Sequence, residues 1–303
     1  MLRRLFGILV ITCIAANGAS TAKKPVHSTN MLVETTWLAT HLSDKNLVIL
    51  HVGADRTAYS SAHIPGARFL ALSDIAVTRN GIPNELPSAS ELKAVFERLG
   101  VGDHSHVVLY GDMFNLFAAR AYFTLDYLGH GNSASLLNGG LDKWSREHGS
   151  TQSETSPATS AVLTLHMHPE FLIEMAGVRG LVSESRVPII DARPRGDFAG
   201  ANTDPGIRRP GHIAGAKNVF WAETLVSREN PVLRSTTEIR ALYRATGIQP
   251  GAKVIVYCKT GIQASHDYFT LKLAGFRPVL YDGSYVEWSN SFGMPVETGT
   301  RNQ

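Results

Sequence analysis

The stretch VIVYCKTGIQASHDYF, residues 254–269, contains the side chain best suited to covalent chemistry. Four residues typical of a buried strand lead directly into Cys258, and a short polar loop follows before a helical pattern. In open α/β sheets the functional crevice lies beyond the carboxyl ends of the strands, which is where Cys258 would fall. The pattern therefore predicts a nucleophilic thiol at the end of a strand.

The loop after Cys258 is predicted to hold negative charge. The next helix should begin near Ala264, so its unpaired N–H groups and the amides of residues 259–263 would point towards the thiol. Lys259 places a cation beside it, and Gly261 permits a left-handed or crowded backbone. Because helix N-termini and nearby cations lower a cysteine pKa from ~8.5 to ~3.5–7.5, we expect a thiolate at Cys258.

The elements that position this loop belong to a tandem duplication. Residues 107–129, VVLYGDMFNLFAARAYFTLDYLG, match residues 254–275, VIVYCKTGIQASHDYFTLKLAG, and both contain YFTL. AHIPGARF is echoed by GHIAGAKNVF, and LLNGGLDKW by LYDGSYVEW. The polar segment REHGSTQSETSPATS between the halves has the composition of a linker. The predicted boundaries are an N-terminal domain over 30–148, a linker over 149–164 and a C-terminal domain over 165–299.

Each half alternates short apolar runs with amphipathic stretches. The predicted strands are LVIL and VVLY in the first half and VPII and VIVY in the second, and SASELKAVFERLG and STTEIRALYRATG have helical periodicity. This alternation predicts an α/β fold in which each half is a parallel sheet flanked by helices on both faces. The candidate helix ends are Ser88 or Ser90 and Ser235 or Thr236 as N-caps, and Gly100 and Gly247 as C-terminal stops.

The N-terminus has the composition of a secretory signal. MLRRLFGILVITCIAANGASTAKK carries two arginines, an apolar run from Leu5 to about Ala16, and then small residues that suit cleavage near Ala22. A membrane anchor is the alternative, but the run is shorter than the ~20 residues that span a bilayer. We therefore expect residues 1–22 to be removed and the protein to be exported, periplasmic or secreted, without stable membrane association afterwards.

Removal of the signal would leave Cys258 as the only thiol of the mature protein. Cys13 would be lost with the signal, unless it accepts a lipid, for which the preceding Thr12 is a poor match. No internal disulfide could then form. A lone thiol in an oxidising compartment suggests a reactive group, and an inert buried cysteine is the alternative.

Composition and charge indicate a globular protein without a nucleic-acid-binding surface, and the histidine pattern does not indicate a metal site. The chain has 303 residues, 44% of them hydrophobic and 18% charged, which is typical of a globular protein. The formal charge of +3 without a long basic block gives little support to nucleic-acid binding. The alternating histidines of LHMHPE (165–170) are not accompanied by a second ligand cluster, so no metal site is predicted.

Taken together, these motifs resemble the tandem-domain rhodanese family, which comprises thiosulfate and 3-mercaptopyruvate sulfurtransferases. The resemblance rests on CKTGIQAS after a strand, DARPRGDF, PGHIAGA and YDGSYVEW. It implies that Cys258 takes a sulfane sulfur as a persulfide and passes it to a thiophilic acceptor such as cyanide or a thiol, without metal or cofactor. Gly111 stands at the cysteine position of the first half, which is similar to the family's inactive copy. The implied site residues are Cys258 as the nucleophile and Lys259, Thr260, Gly261, Ile262, Gln263, Arg193 and His63 as substrate contacts.

Two departures from the family bear on the sulfur donor. Thiosulfate enzymes usually show C-R-K-G and mercaptopyruvate enzymes C-G-S/T-G, whereas this loop is C-K-T-G, with one cation and one hydroxyl. Asp197 stands where the family's D-x-R-x-x-x-R-F element carries a second substrate-binding arginine. Arg195, Arg208 and Arg209 are the nearby candidates to replace it. We expect a small anionic donor, with thiosulfate favoured over 3-mercaptopyruvate.

Two other functions stay open at this point. Cysteine phosphatases that share the fold need an arginine six residues after the cysteine to clamp phosphate, and Ala264 stands there. A non-catalytic sulfur or persulfide carrier is the alternative if Asp197 disables donor binding.

Three further side chains have two interpretations each. Arg193 either orients the site through Asp191 or forms only a structural ion pair with it. His63 and His212, in the repeated HI-x-GA element, either take part in the chemistry or stabilise loops, and the second role is expected. His63 is the exception, because the family uses the first-domain copy near the domain interface.

Overall fold

The computed structural model describes residues 31–184, 187–202 and 204–299. The predicted signal over residues 1–22, including Cys13, lies outside the described residues. Within the described ranges, no helix combines the length and the apolar character that crossing a membrane requires.

The first half contains a five-stranded parallel sheet with the strand order β1-β7-β6-β2-β3 and a separate antiparallel hairpin, β4-β5. Its elements are β1 (Leu32–Val33), α1 (Thr35–His41), β2 (Leu47–Gly53), α2 (Thr57–Ser61), β3 (Arg68–Ala71), β4 (Val77–Arg79), β5 (Ile82–Glu85), α3 (Ala89–Arg98), β6 (His106–Gly111), α4 (Leu116–Tyr127), β7 (Ala134–Leu137) and α5 (Gly140–Glu147).

The second half repeats the parallel sheet with the strand order β11-β9-β12-β13-β8, and it has a separate antiparallel pair, β10-β14, whose strands are far apart in the sequence. Its elements are β8 (Leu172–Ile173), α6 (Met175–Glu184), β9 (Ile189–Asp191), α7 (Arg195–Ala199), β10 (His212–Ile213), β11 (Lys217–Asn218), α8 (Thr236–Ala245), β12 (Lys253–Tyr257), α9 (Ile262–Leu273), β13 (Arg277–Tyr281), α10 (Ser284–Asn290) and β14 (Val296–Glu297). The predicted fold class, two parallel α/β domains in tandem, is confirmed.

Successive residues of the central strands face opposite sides of each sheet, as the period of a strand requires. In β12, Val254 and Val256 join the apolar core that includes α8 and α9, whereas Ile255 and Tyr257 join the core that includes α6, α7 and α10. β2 alternates in the same way between a core with α3 and α4 and a core with α1 and α5. Helices therefore cover both faces of both sheets.

Two equivalent helices begin with the same capping box. Ser88 and Ser235 each accept a hydrogen bond from the backbone N–H of a glutamate three residues later, and that glutamate accepts one from the serine N–H in return. Gly100 and Gly247 follow the two helices with φ of +77° and +89°. The serines and glycines predicted from the sequence therefore end these helices, with Ser88 and Ser235 chosen over their neighbours.

The two halves pack through the repeated YFTL motif. Helices α4 and α9 contact each other, with the rings of Tyr122 and Phe269 edge to face at 4.8 Å and those of Phe123 and Tyr268 at 4.9 Å. The core on this side is continuous across both domains. A shared core of this kind holds the two halves as one packed body.

In each half, a backbone N–H just before a helix also donates a hydrogen bond to a side chain of the other half. Leu86, before α3, donates its N–H to Asp282 Oδ2 at 2.8 Å, and Leu233, before α8, donates its N–H to Asn138 Oδ1 at 3.0 Å. Asp282 and Asn138 are equivalent positions, one residue after β13 and β7. This hydrogen bond is thus a second repeated contact between the domains.

A buried ion pair between the halves involves Arg120 of α4. Its guanidinium donates to Asp282 Oδ1 at 2.6 Å and Oδ2 at 3.1 Å, and to Asn84 O at 2.5 Å. Both charged groups are buried, with side chains 0% and 9% exposed. Because the desolvation of two charges is costly, such a pair is stable only while both members are present.

The predicted linker packs against the first half. Gln152 pairs with His63 in an isolated antiparallel bridge, and Leu163 is fully buried. Ala161 donates to Glu97 O at 3.1 Å. These contacts tie part of a segment with linker composition to the N-terminal domain.

Replacing Arg120 should destabilise the protein far more than replacing an exposed arginine. Arg120→Leu leaves Asp282 buried without its cation, which costs about 3–5 kcal/mol of unfolding free energy. The matched control is Arg98→Leu in α3, because Arg98 pairs with Asp74 at 3.5 Å with 63% of its side chain exposed, and such pairs contribute about 0–1 kcal/mol. Urea denaturation measures both changes. Equal costs for the two variants would contradict a structural role for the Arg120 pair.

Candidate active site

Cys258 follows β12 directly, at the carboxyl edge of the second sheet, and α9 begins four residues later. The side chain is 1% exposed, and its Sγ accepts a hydrogen bond from Gly261 N at 3.1 Å. Helix α9 starts at Ile262, two residues earlier than expected. The four-residue loop is therefore tight, and it wraps around the sulfur.

The start of α10 holds the backbone of this loop. Cys258 N donates to Ser284 Oγ at 3.3 Å, and the carbonyls of Cys258 and Lys259 accept from Tyr285 N at 2.9 Å and Val286 N at 3.0 Å. These contacts come from YDGSYVEW, the motif that forms the end of β13 and most of α10. The motif thus fixes the main-chain position of the nucleophile.

Gly261 is required at the loop's end for two reasons. Its φ is +87°, a value that residues with a side chain rarely adopt, and a Cβ would lie 2.8 Å from Asp282 Oδ1. Thr260, next to it, accepts a hydrogen bond from Asn84 Nδ2 at 2.9 Å. The first half therefore contacts the loop directly through Asn84 and, through Arg120, holds the carboxylate beside Gly261.

The remaining loop candidates differ in what they offer a substrate. Ile262 is buried and joins the apolar core, so only its backbone is placed to act in the loop. Gln263, half-buried, is the second residue of α9. The groups that the loop can offer to a negative charge are therefore mainly its backbone amides and the Thr260 hydroxyl.

The expectation of a lowered cysteine pKa is not met. Burial raises the pKa of the Cys258 thiol, and the backbone N–H groups of Ala264, Thr260 and Gly261 offset only part of that effect. The carboxylate of Asp191 raises the pKa further. Sequence could predict the amides but not the desolvation, which here has the larger effect.

Lys259 is not a free cation beside the thiol. Its Nζ donates to Asp204 Oδ2 at 2.6 Å, and this contact together with the Gly206 N–H lowers the pKa of Asp204. Both side chains are partly exposed, at 43% and 38%. Sequence analysis did not identify Asp204, because it lies 55 positions from Lys259 in a loop without a motif.

Arg193 forms a buried ion pair with Asp191. Its guanidinium donates to both carboxylate oxygens, with Nη2 2.5 Å from Oδ2, and to Gly211 O at 2.7 Å. The guanidinium carbon lies 4.0 Å from the centre of the Tyr285 ring, where cation–π attraction adds to the contact. The ion pair with Asp191 that both interpretations of Arg193 require is present, and Asp191 and Gly211 O take up most of the hydrogen-bonding capacity of its guanidinium.

Asp197 lies near Lys259 at a small cavity of about 20 Å³, which is room for a single water. Arg193, Asp204 and Asn202 also line it, and Asn202 Nδ2 donates to Asp197 Oδ1 at 2.7 Å. A carboxylate thus takes the place of the family's second arginine. Two ion pairs, Arg193 with Asp191 and Lys259 with Asp204, are each neutral as a pair. Asp197 therefore gives this part of the site one net negative charge.

The three arginines near Asp197 in the sequence do not replace the missing cation. Arg209 donates to the backbone carbonyls of Trp288, Ser289, Ser291 and Met294. Arg195 and Arg208 are exposed and do not line the cavity beside Lys259. The described residues therefore supply no second guanidinium to a donor at this cavity.

His63 does not fit its predicted role as a substrate contact. It is fully buried in the first half and stacked on Tyr59, with ring centres 3.8 Å apart. Its ring nitrogens lie 2.6 Å from Tyr59 O and 3.1 Å from Glu154 O. His212 is stacked on Phe198 in the same way, at 3.7 Å. The repeated histidines therefore stabilise loops.

The equivalent loop of the first half has lost the geometry of a thiol site. Gly111 takes the register position of Cys258, but a Cβ there would lie 2.3 Å from Val52 O. The connection to α4 is one residue longer, and Met113, Phe114 and Asn115 all have φ between 53° and 67°. A cysteine at position 111 could not be accommodated without a shift of the backbone.

No group of three or more potential metal ligands occurs within residues 31–184, 187–202 and 204–299. The histidines of LHMHPE precede a short 3-10 turn and do not lie on a strand, with His168 Nδ1 bound to Glu170 at 2.9 Å.

Comparison with known proteins matches the fold and the repeat. A family model described as a rhodanese-like domain matches residues 34–147 and again 175–291. A sulfur carrier protein of Thermus thermophilus is 32% identical over 89% of this chain and 97% of its own. A thiosulfate sulfurtransferase of Corynebacterium glutamicum is 32% identical over 88% and 90%. The crystal structure of a 3-mercaptopyruvate sulfurtransferase from Escherichia coli superimposes with a TM-score of 0.74 at 27% identity, covering 84% of this chain and 99% of that one.

The raised pKa of Cys258 gives a testable pH dependence. Only the thiolate reacts with iodoacetamide, and burial disfavours the charged form, so the alkylation rate should rise with pH through a midpoint above that of glutathione. Unfolding in guanidinium should return the midpoint to that of an ordinary thiol. A midpoint below that of glutathione in the folded protein would show instead that the loop amides outweigh desolvation.

Proposed function

Because this chain belongs to the rhodanese-like family and is a sulfurtransferase of that type, we propose that it carries sulfane sulfur as a persulfide on Cys258. The observation that supports this most directly is the hydrogen bond from Gly261 N to Cys258 Sγ in a tight turn between β12 and α9. Amides in this position stabilise negative charge on either a thiolate or a persulfide sulfur.

The reaction consists of two displacements at sulfur. With thiosulfate, the Cys258 thiolate attacks the outer sulfur, the S–S bond of the donor breaks, and the bonding electrons leave with sulfite. The acceptor then attacks the outer sulfur of the persulfide and regenerates the Cys258 thiolate. Cyanide and thiols are suitable acceptors, because both are thiophilic nucleophiles.

Thiosulfate is the proposed donor, ahead of 3-mercaptopyruvate. Lys259 supplies a cation at the position where thiosulfate enzymes of the family carry arginine, and the Corynebacterium relative is named for this substrate. The cavity beside Lys259 has room for about one water, and the lysine ammonium is paired with the Asp204 carboxylate. Donor binding therefore requires Lys259 to exchange the Asp204 carboxylate for the donor.

A sulfur carrier without its own donor reaction is the second candidate. The Thermus relative is named as a sulfur carrier protein, and Cys258 is almost fully buried with a carboxylate at the arginine position. In that case Cys258 would accept sulfur from another protein's persulfide and not from a small anion. Turnover with a small donor distinguishes the two functions.

Export to the periplasm or the medium is part of the proposal. It rests on the two arginines, apolar run and small residues of the first 22 positions. In such a compartment Cys258 would work as the single thiol of the mature chain.

Intact-mass measurement tests the proposed intermediate. Incubation with thiosulfate should add one sulfur atom, about 32 Da, to the wild-type protein, and cyanide should remove it with formation of thiocyanate. Cys258→Ser should gain no mass and show no turnover, because a hydroxyl is a poor nucleophile towards sulfur. Turnover in that variant would exclude the mechanism. Mass gain only from a protein persulfide, and none from thiosulfate or 3-mercaptopyruvate, would favour the carrier.

Charge substitutions should change thiosulfate affinity in opposite directions. Asp204→Asn frees Lys259 and Asp197→Arg adds a cation, so both should lower the KM for thiosulfate by about fivefold, whereas Lys259→Ala should raise it by a similar factor, as expected for partly exposed ion contacts of about 1 kcal/mol. Steady-state kinetics at low and high salt measure the effect. Asp74→Asn, which removes an exposed carboxylate paired with Arg98, is the matched control.

If Lys259→Ala and Asp204→Asn both leave the KM unchanged, the lysine does not contact the donor and the backbone alone binds it.

A further inference from the structure

We propose that the second half binds a small organic anion with an aromatic or aliphatic body, in a cavity at the end of its sheet opposite to Cys258. This cavity of about 420 Å³ lies at the start of β12 and β13, where Lys253 and Arg277 begin the two strands. Cys258 follows the other end of β12. The proposal is therefore independent of the sulfur-transfer site and of its donor.

Apolar side chains form most of the cavity wall. They are Phe171, Tyr268, Phe276, Pro278 and Val279. The rings of Phe171 and Tyr268 lie 6.3 Å apart. A concave surface with aromatic walls and a few charged groups is typical of a small-molecule site.

The cavity exists because one edge strand is short. β8 has two residues and pairs only with Leu280 and Tyr281 of β13. The first three residues of β13, Arg277–Val279, therefore have no strand beside them on that edge among the described residues. Glu170 and Phe171, which precede β8, stand across the gap and close the far side of the cavity.

Three cations surround this apolar wall. Lys253 and Arg277 are exposed and are register partners on neighbouring parallel strands, so two like charges stand side by side. Within the described residues neither forms an ion pair, and Arg277 Nε donates to Gly251 O at 2.8 Å. Like charges directly opposite each other are unfavourable in a sheet, and a bound anion would remove that repulsion.

The third cation, Lys272, lies on α9. Its Nζ is 5.1 Å from the centre of the Phe171 ring and is paired with Asp126, so it contributes little free charge. Glu170 is the acidic group among the described lining residues, and it is bound to His168. In the described part of the chain, Lys253 and Arg277 remain unpaired against this one carboxylate, so the lining keeps one net positive charge, which favours an anionic ligand over a neutral or cationic one.

The first half of the same chain shows that the fold itself does not require these cations. From strand register, His106 and Ser133 take the places of Lys253 and Arg277, and the YFTL repeat places Asp126 at the position of Lys272. Burial lowers the pKa of His106, so this position is neutral there. An equivalent sheet edge thus forms with no permanent cation, and the charge cluster is a property of the second half alone.

Calorimetric titration with 2-naphthoate tests the site, with the neutral 2-naphthamide as the paired probe. The wild-type protein should bind 2-naphthoate saturably with a Kd of about 1 mM or less, and the amide at least about fivefold more weakly. Lys253→Gln/Arg277→Gln should weaken 2-naphthoate binding about tenfold. The control, Lys45→Gln/Arg244→Gln, removes the same charge from exposed positions outside the cavity and should change the Kd less than twofold.

Alkylation of Cys258 separates this site from the sulfur-transfer site. Protein carbamidomethylated at Cys258 should bind 2-naphthoate as the untreated protein does. Loss of binding on alkylation would place the anion at the catalytic loop and overturn the proposal. It would equally be overturned by the absence of saturation at about 10 mM, by equal affinity for the amide, or by a double variant that binds as tightly as wild type.

Discussion

The buried ion pair between Arg120 and Asp282 is the contact on which the arrangement around Cys258 depends. Asp282 lies at the end of β13, against Gly261, and its carboxylate would be unstable there without a cation. The cation comes from α4 of the first half, and the Leu86 N–H from the same half completes the coordination of the carboxylate. A domain without a reactive cysteine is therefore a structural component of the loop that carries one.

The two copies have diverged in charge at the same positions. By register and motif, His51 corresponds to Asp191 and Gly111 to Cys258, while Asn138 corresponds to Asp282. The copy of Arg120 is His266, whose pKa burial lowers to about 4, so it is neutral near pH 7 and contacts Thr224 Oγ1 at 2.8 Å. A charged pair supports the loop with the thiol, and neutral groups occupy the equivalent place beside the loop without one.

Features set by local sequence were predictable, and those set by distant contacts were not. The repeat, the alternation of apolar runs and the serine caps identified both sheets and the ends of two helices, because each depends on residues close in the chain. The pairing of Lys259 with Asp204 and of Asp282 with Arg120 joins segments 55 and 162 positions apart. The direction of the Cys258 pKa shift depends on burial by the whole fold, which no short motif specifies.

Helices α4 and α9 contact each other through the same four-residue motif, so their interface has the isologous form of a homodimer within a single polypeptide. In a dimer of identical chains, a substitution at this interface appears twice, once beside each active loop. Covalent fusion removes that symmetry, because positions 120 and 266 are encoded separately. Selection can then retain an arginine as a neighbour of the thiol loop in one copy and a neutral histidine in the other, a combination that no symmetric pair of identical subunits can hold.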